Sequence, residues 1–69
     1  MVKDPKKVVQ EIVQLVGKPK AERLLIAEKA SPSSAGKLVR GKYESAIGEL
    51  LAEAIDRARI AAEKLADAG

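Results

Sequence analysis

The chain contains neither cysteine nor histidine. Without thiols it can form no disulfide framework and no thiolate metal site, and without imidazole it lacks the commonest metal ligand and general base. Carboxylates at Glu49, Glu53 and Asp56 recur at helical spacing, which is far more typical of a solvated helix face than of a metal site. We therefore expect a protein with no catalytic residue, no metal and no cofactor.

Trp and Phe are absent as well, and Tyr43 is the only aromatic residue. Proteins that bind single-stranded nucleic acid usually stack bases on aromatic side chains, so this composition disfavours that class. Long apolar runs are also missing, since the longest, Leu24 to Ala27, is far too short to span a bilayer. Because Met1 is followed by charged residues rather than by a signal peptide, we expect a soluble, cytoplasmic protein with no membrane partner.

The residues that are present favour a single small helical domain. A chain of 69 residues predicts one domain, residues 1–69, and abundant Ala, Leu, Glu, Lys and Arg favour an all-α fold. The charge is uneven: residues 1–43 carry ten Lys or Arg against four Asp or Glu, whereas residues 44–69 carry three against six. A basic first part and an acidic tail indicate that the first part meets an anion. Ordinary solvated surface is the alternative explanation for the same charges.

Capping residues and apolar periodicity predict four helices. Asp4-Pro5 and Ser31-Pro32 each combine an N-cap residue with proline at the first helical position, and Pro19 marks a third start. Gly17 and Gly41 follow the last apolar residue of a periodic segment, where glycine commonly ends a helix. The predicted helices cover residues 5–16, 19–29, 32–40 and 45–67.

The last predicted helix has an apolar seam with heptad-like spacing. The first half of this seam is rich in Ile and Leu, and the second half is almost entirely Ala. We expect the first half to pack on the other helices and the second half to extend beyond so small a domain, where small residues let another helix approach closely. The predicted homodimer contact consists of Ala54, Ala58, Ala61, Ala62 and Leu65.

The segment from Ser31 to Tyr43, SPSSAGKLVRGKY, is predicted to be a short capped helix with one apolar and one polar face. Ala35 and Leu38 point to one side, and the opposite side is rich in serine and cations. Gly36 lies within the helix, where glycine costs roughly 0.5–1 kcal/mol relative to alanine. Close approach to another group is one reason to keep it.

Residues 21–43, AERLLIAEKASPSSAGKLVRGKY, resemble the helix-turn-helix of phage repressor and Cro-type DNA-binding proteins and of bacterial sugar-operon repressors. Many members carry a hydrophobic-Ser-Pro-Ser-Thr-Val-Ser-Arg-Ile-x-Asn-Gly-Lys pattern, which the segment from Ala30 to Lys42 follows in register. Two departures stand out. Leu25 and Ala35 exchange the usual small and large residues at the helix crossing, and Lys29 stands where the turn usually has glycine. That lysine must either adopt a left-handed backbone or lengthen the first helix.

The resemblance implies a small four-helix domain that binds double-stranded DNA through helix 32–40 in the major groove. It further implies a phage or bacterial transcriptional regulator, expected to be a repressor, that binds a palindromic operator as a homodimer; no small-molecule effector is evident. Lys18 and Lys20 are expected phosphate contacts because a phosphate would offset their unfavourable place at a helix N-terminus. The base contacts implied are Ser33, Gly36, Lys37 and Arg40, and the further phosphate contacts are Ser31, Lys42 and Tyr43.

Two alternatives remain open at this stage. Either Lys37 or Arg40 can contact a base edge, and for each of them a plain phosphate contact is an equal alternative. The chain can also be a helical protein–protein interaction module, natural or designed, without nucleic-acid binding. Retention on heparin or on genomic DNA at low salt distinguishes the module from a DNA-binding protein.

Overall fold

A computed structural model describes residues 4–68, which form four α-helices. The all-α class predicted from composition is therefore confirmed, and the last helix is the longest. Residues 1–3 and 69, the two ends of the predicted domain, lie outside the described residues. The helices are α1 (Pro5–Val16), α2 (Lys18–Ala27), α3 (Pro32–Arg40) and α4 (Glu49–Ala68).

Helices α1 and α3 have the predicted bounds because each begins with a side-chain cap. The Asp4 carboxylate accepts a hydrogen bond from the Lys6 amide at 3.0 Å. In the same way the Ser31 hydroxyl oxygen accepts from the Ser34 amide at 3.2 Å. Proline follows each cap, where its missing N–H leaves no hydrogen bond unmade.

The other two helices differ from their predicted bounds. Helix α2 begins one residue before the predicted start and ends at Ala27, because the chain turns at Lys29. Helix α4 begins at Glu49 rather than at 45. The carbonyl of Gly48 accepts the first hydrogen bond of the helix, from the Ala52 amide at 2.9 Å, so Gly48 takes the N-cap position. Ile47, the residue before Gly48, packs against the core and does not extend α4 towards its predicted start.

Packing of α4 along α1 forms the largest part of the core. Val9 and Ile12 of α1 and Ile55 of α4 are fully buried, and α2 and α3 close the core from the other side. Ala58 and Ala62 are also fully buried, and their small side chains leave room for the Val and Ile side chains of a neighbouring helix. The core cluster consists of Val8, Val9, Ile12, Ala21, Leu25, Ala30, Ala35, Leu38, Val39, Ile55, Ala58 and Ala62.

The structure corrects most of the predicted dimer contact. Ala54, Ala58 and Ala62 are buried within the chain, so a second copy cannot reach them while α4 stays in place. The alanine seam of α4 packs against the other helices as far as Ala62, and residues 63–68 at the end of the helix are exposed. Of the predicted set, Ala61 is half-buried and Leu65 is 43% exposed. Among residues 4–68, no helix is long and apolar enough to cross a membrane.

Candidate nucleic-acid interface

The turn between α2 and α3 is closed by two backbone hydrogen bonds. The amide of Lys29 donates to the carbonyl of Ile26 at 2.9 Å, and the amide of Ala30 donates to the carbonyl of Leu25 at 3.1 Å. This is the Schellman pattern, which requires a left-handed residue at its turning point. Lys29 supplies it with a φ of 74°. The lysine therefore adopts the left-handed backbone, and the helix before it is not lengthened.

The two helices meet through one large and one small residue. Leu25 of α2 and Ala35 of α3 are both fully buried and belong to the same core cluster. The exchange of sizes relative to the resembling proteins is therefore accommodated, because the summed volume at the crossing is kept. Ala30, in the turn between the two helices, is also buried and belongs to the same core cluster.

Helix α3 has a clearly divided surface. Ala35, Leu38 and Val39 are buried, as the sequence predicts for the first two. Ser33, Lys37 and Arg40 are exposed, and their spacing of four and then three residues places them along one face of the helix. This face, called here the α3 outer face, presents one short hydroxyl and two cations to solvent.

Gly36 does not lie on the α3 outer face. It is buried, and a Cβ built on it would lie 3.2 Å from Nη2 of Arg40 and 3.5 Å from Oε1 of Glu22. Both neighbours are the ends of flexible side chains, so no core group of the chain requires a glycine here. The predicted base contact at Gly36 thus needs the side chains of Arg40 and Glu22 to move aside, whereas Ser33 and Lys37 are accessible as they stand. Arg40 is exposed, but the end of its side chain lies over Gly36.

The cations near α3 are available to bind anions. Within residues 4–68 every ion pair uses Arg57 or Arg59 of α4, with Glu28, Glu11 and Glu63 as the acidic partners. None of these pairs neutralises a cation that the sequence assigns to DNA. The assigned cations, all exposed, are Lys18, Lys20, Lys37, Arg40 and Lys42.

The predicted phosphate contacts fall at the two ends of the helical pair. Lys18 and Lys20 lie in the first turn of α2, whose N-cap Gly17 makes no side-chain capping bond. Ser31 caps α3, so its oxygen accepts from the chain while its hydroxyl proton remains free to donate. Lys42 and Tyr43 come just after α3. The amide of Lys42 closes the helix on the carbonyl of Lys37 at 2.8 Å, and half-buried Tyr43 packs against the core.

A surface cavity of about 390 Å³ lies between α1 and the end of α3. Gln10 of α1 crosses this junction, since its amide nitrogen lies 3.3 Å from the carbonyl of Leu38 and 3.5 Å from that of Val39. No sequence motif points to a site at Lys6 and Lys7, but the structure places them beside the segment after α3. Their signal in the sequence was a pair of cations in the first turn of a helix. The cavity is lined by Lys6, Lys7, Gln10, Glu11, Gln14, Leu38, Gly41 and Tyr43.

Comparisons with protein-family models, with curated proteins and with solved structures found no match to this chain. Among the residues that the structure describes, no group of three or more Asp or Glu side chains is placed to hold a metal ion. The binding chemistry of the site follows from its own residues, which are two cations and one hydroxyl on the exposed side of a short helix. The other side of that helix is buried in the core.

Proposed function

We propose that this protein binds double-stranded DNA in a sequence-specific manner and regulates transcription, with repression as the expected outcome. The observation that carries the proposal is the α3 outer face. Ser33, Lys37 and Arg40 are exposed on one side of a helix whose other side is buried, so the helix can enter a groove without disturbing the core. The major groove of B-DNA is about 12 Å wide and accepts an α-helix.

The chemistry of this face suits base edges. Lysine and arginine donate to the O6 and N7 atoms of guanine, and serine can donate to or accept from any base. Gly36 supports the same interpretation, because a glycine inside a helix is unfavourable and no group in the core of this chain needs it. Close approach of DNA to α3, once Arg40 and Glu22 turn outwards, supplies a reason for the missing side chain.

Cations on either side of α3 would bind the DNA backbone. Lys18 and Lys20 lie at the start of α2, the helix before α3, and Lys42 lies just after the end of α3. Contacts of this kind release counterions, so affinity should fall steeply as salt is raised. They position the helix and carry no sequence information of their own.

In the test, a DNA duplex is first selected from a random-sequence pool. The full chain is then titrated into the labelled duplex, and the fluorescence anisotropy of the duplex reports binding. Lys37→Ala and Arg40→Ala should each weaken binding about 5- to 150-fold, the range expected when a charged base contact worth ~1–3 kcal/mol is lost. Both side chains are exposed, so the variants should unfold at the same urea concentration as the parent. Lys64→Ala, at an exposed position of α4, is the matched control and should bind normally. Unchanged binding by both α3 variants would overturn the proposal.

A second candidate function is a helical protein-interaction module. The observation that favours it is the exposed apolar surface of α4, where Leu50 is 83% and Ile60 55% exposed. A protein-binding module should pass through heparin and genomic-DNA columns at low salt, whereas a DNA-binding protein should be retained and eluted by salt. Elution in the void volume from both columns would favour this second function.

A further inference from the structure

Leu38 lines the cavity between α1 and the end of α3, whereas Gly36 lies beside Glu22 of α2. Residues two positions apart in an α-helix lie about 200° apart around its axis, so the cavity and Glu22 lie on opposite sides of α3. On one side of α3, Gly36 and Arg40 lie next to Glu22 of α2. On the other side, Leu38 and Gly41 lie next to α1, and the side-chain amide of Gln10 on α1 donates to the carbonyls of Leu38 and Val39. The α3 outer face is therefore flanked by the start of α2 on one side and by the start of α1 on the other.

Both flanks carry exposed lysines. Lys18 and Lys20 lie on the α2 flank, and Lys6 and Lys7 lie on the α1 flank, where they line the cavity. Gly41 connects the cavity to the α3 outer face, because it follows Lys37 by one helical turn. A helix that enters a groove passes between two sugar–phosphate backbones, and a cationic flank on each side matches that geometry.

We propose that the cavity seats a backbone phosphate of duplex DNA, on the strand opposite to the one that Lys18 and Lys20 contact. This inference rests on the proposed DNA-binding function and adds a second phosphate site to it. Lys6 and Lys7 neutralise the phosphate, and the Tyr43 hydroxyl can donate a hydrogen bond to one of its oxygens. Among the residues that line the cavity, Lys6 and Lys7 are the two cations.

One carboxylate in the cavity lining would repel a bound anion, but an arginine of α4 partly neutralises it. Glu11 lines the cavity, but its Oε1 lies 3.6 Å from Nη2 of Arg59 on α4. Lys6 and Lys7 take part in none of the ion pairs described above. The lysines of the lining are therefore unpaired while its carboxylate is paired. Because most of the cavity surface is apolar, the phosphate binds at the exposed edge that Lys6 and Lys7 form.

The test compares the full-length Lys6→Gln/Lys7→Gln double variant with a Lys64→Gln control. Affinity is measured for the selected duplex and for an unrelated duplex over a range of salt concentrations. The double variant should bind both duplexes about 10-fold more weakly, and the slope of log affinity against log salt should become shallower by about 1–2. Its preference for the selected sequence should stay the same, because phosphate contacts carry no sequence information.

Tyr43 offers an independent readout because it is the only aromatic residue of the chain. With an isotope-labelled tyrosine ring, its NMR signals should shift when the duplex is added to the parent protein, and shift less in the double variant. A ring signal that moves with inorganic phosphate or benzoate but not with the duplex would replace the proposal with a small-anion site.

The outcomes separate the two proposals. If the double variant keeps the parent salt slope while Lys37→Ala and Arg40→Ala lose affinity, the second phosphate site is wrong and DNA binding by α3 stands. A changed sequence preference in the double variant would also overturn it, because the lysines would then contact bases. If the parent protein binds no duplex at low salt, both proposals fall together.

Discussion

Lys29 is the residue at which the local sequence and the observed backbone disagree most. Its φ of 74° lies in the left-handed region, which costs a residue with a Cβ roughly 1–2 kcal/mol. Helix α3 ends in the same hydrogen-bond pattern, but there Gly41 occupies the left-handed position with a φ of 76°. The chain thus contains one favourable and one unfavourable version of the same helix end.

This comparison yields a prediction for stability. Lys29→Gly should stabilise the protein by about 1 kcal/mol, because relief of the left-handed strain exceeds the added flexibility of the unfolded chain. Gly41→Ala, the converse change, should destabilise it by about 1 kcal/mol. The urea midpoint followed by circular dichroism measures both. A Lys29→Gly protein that is no more stable than the parent would show that the lysine side chain makes a compensating contribution.

Ser31 and Ser33 are neighbouring serines with different roles. The Ser31 side chain caps α3, whereas Ser33 is exposed on the α3 outer face. Ser31→Ala should therefore cost about 1 kcal/mol of stability. Ser33→Ala should change stability by less than about 0.5 kcal/mol and should instead weaken binding to the selected duplex. Urea unfolding and anisotropy titration of both variants check this, and equal destabilisation by the two changes would contradict it.

Gly36 should show opposite effects on stability and binding. Gly36→Ala is expected to stabilise α3 by about 0.5–1 kcal/mol, because the new methyl group meets only the movable ends of Arg40 and Glu22. The same methyl group should weaken DNA binding by blocking close approach. Gly48→Ala, where an added Cβ would meet nothing within 4 Å, is the control and should bind like the parent. Thermal unfolding and duplex titration measure the two effects, and a stabilised Gly36→Ala protein with full affinity would remove Gly36 from the site.

At the scale of the helices, α4 decides how the domain is held together. Its alanines were expected to meet a second copy, but they pack within the chain, where they allow α1 and α4 to lie close. Helical periodicity identified the apolar face correctly. It could not identify the partner of that face, because an apolar seam is equally suited to a helix of the same chain or of another chain.

The packing of α4 can be tested by enlarging one alanine. Ala58→Leu should destabilise the protein by about 1–3 kcal/mol, since a fully buried position has no room for three further carbon atoms. Ala66→Leu, at an exposed position of the same helix, should have an effect below about 0.5 kcal/mol. The urea midpoints of the two variants provide the measurement. Equal midpoints would mean that α4 packs elsewhere.

At the scale of the whole molecule, the domain measures 33 × 27 × 18 Å. Operator half-sites one helical turn apart are separated by roughly 34–36 Å, so two such domains side by side can occupy successive major grooves. We therefore retain the homodimer as a proposal, with its contact reduced to Ala61 and Leu65, the two residues of the predicted set that are not buried within the chain. They lie four residues apart and share one face of α4, whereas Ile60 lies about 140° around the helix from Leu65.

Dimer formation is checked by sedimentation equilibrium of the full chain. The parent should behave as a dimer, and Leu65→Gln should behave as a folded monomer because the apolar contact is removed. Ile60→Gln, at a position 55% exposed on another face of α4, should remain dimeric. A monomeric parent protein, or a Leu65→Gln protein that still dimerises, would refute this contact. Shortening the chain within α4 is not a substitute, because Ala58 and Ala62 belong to the core.

The features that can be predicted from the sequence are mostly local. The caps at Asp4 and Ser31, the stop at Gly41 and the divided surface of α3 all follow from residues within one or two helical turns of each other. Local hydrogen bonds and side-chain periodicity are sufficient to specify such features. For the same reason the start of α4 was misplaced, because Ile47 packs on a core that a local pattern does not contain.

Contacts between residues that are distant in the chain became visible only in the folded structure. It placed Lys6 and Lys7 beside Tyr43, covered Gly36 with side chains from two helices, and turned the alanines of α4 towards α1 rather than towards a second copy. These contacts join segments far apart in the chain and depend on the volumes of all the side chains between them. A periodic pattern specifies which face of a helix is buried, whereas close packing of the complete core specifies what that face is buried against.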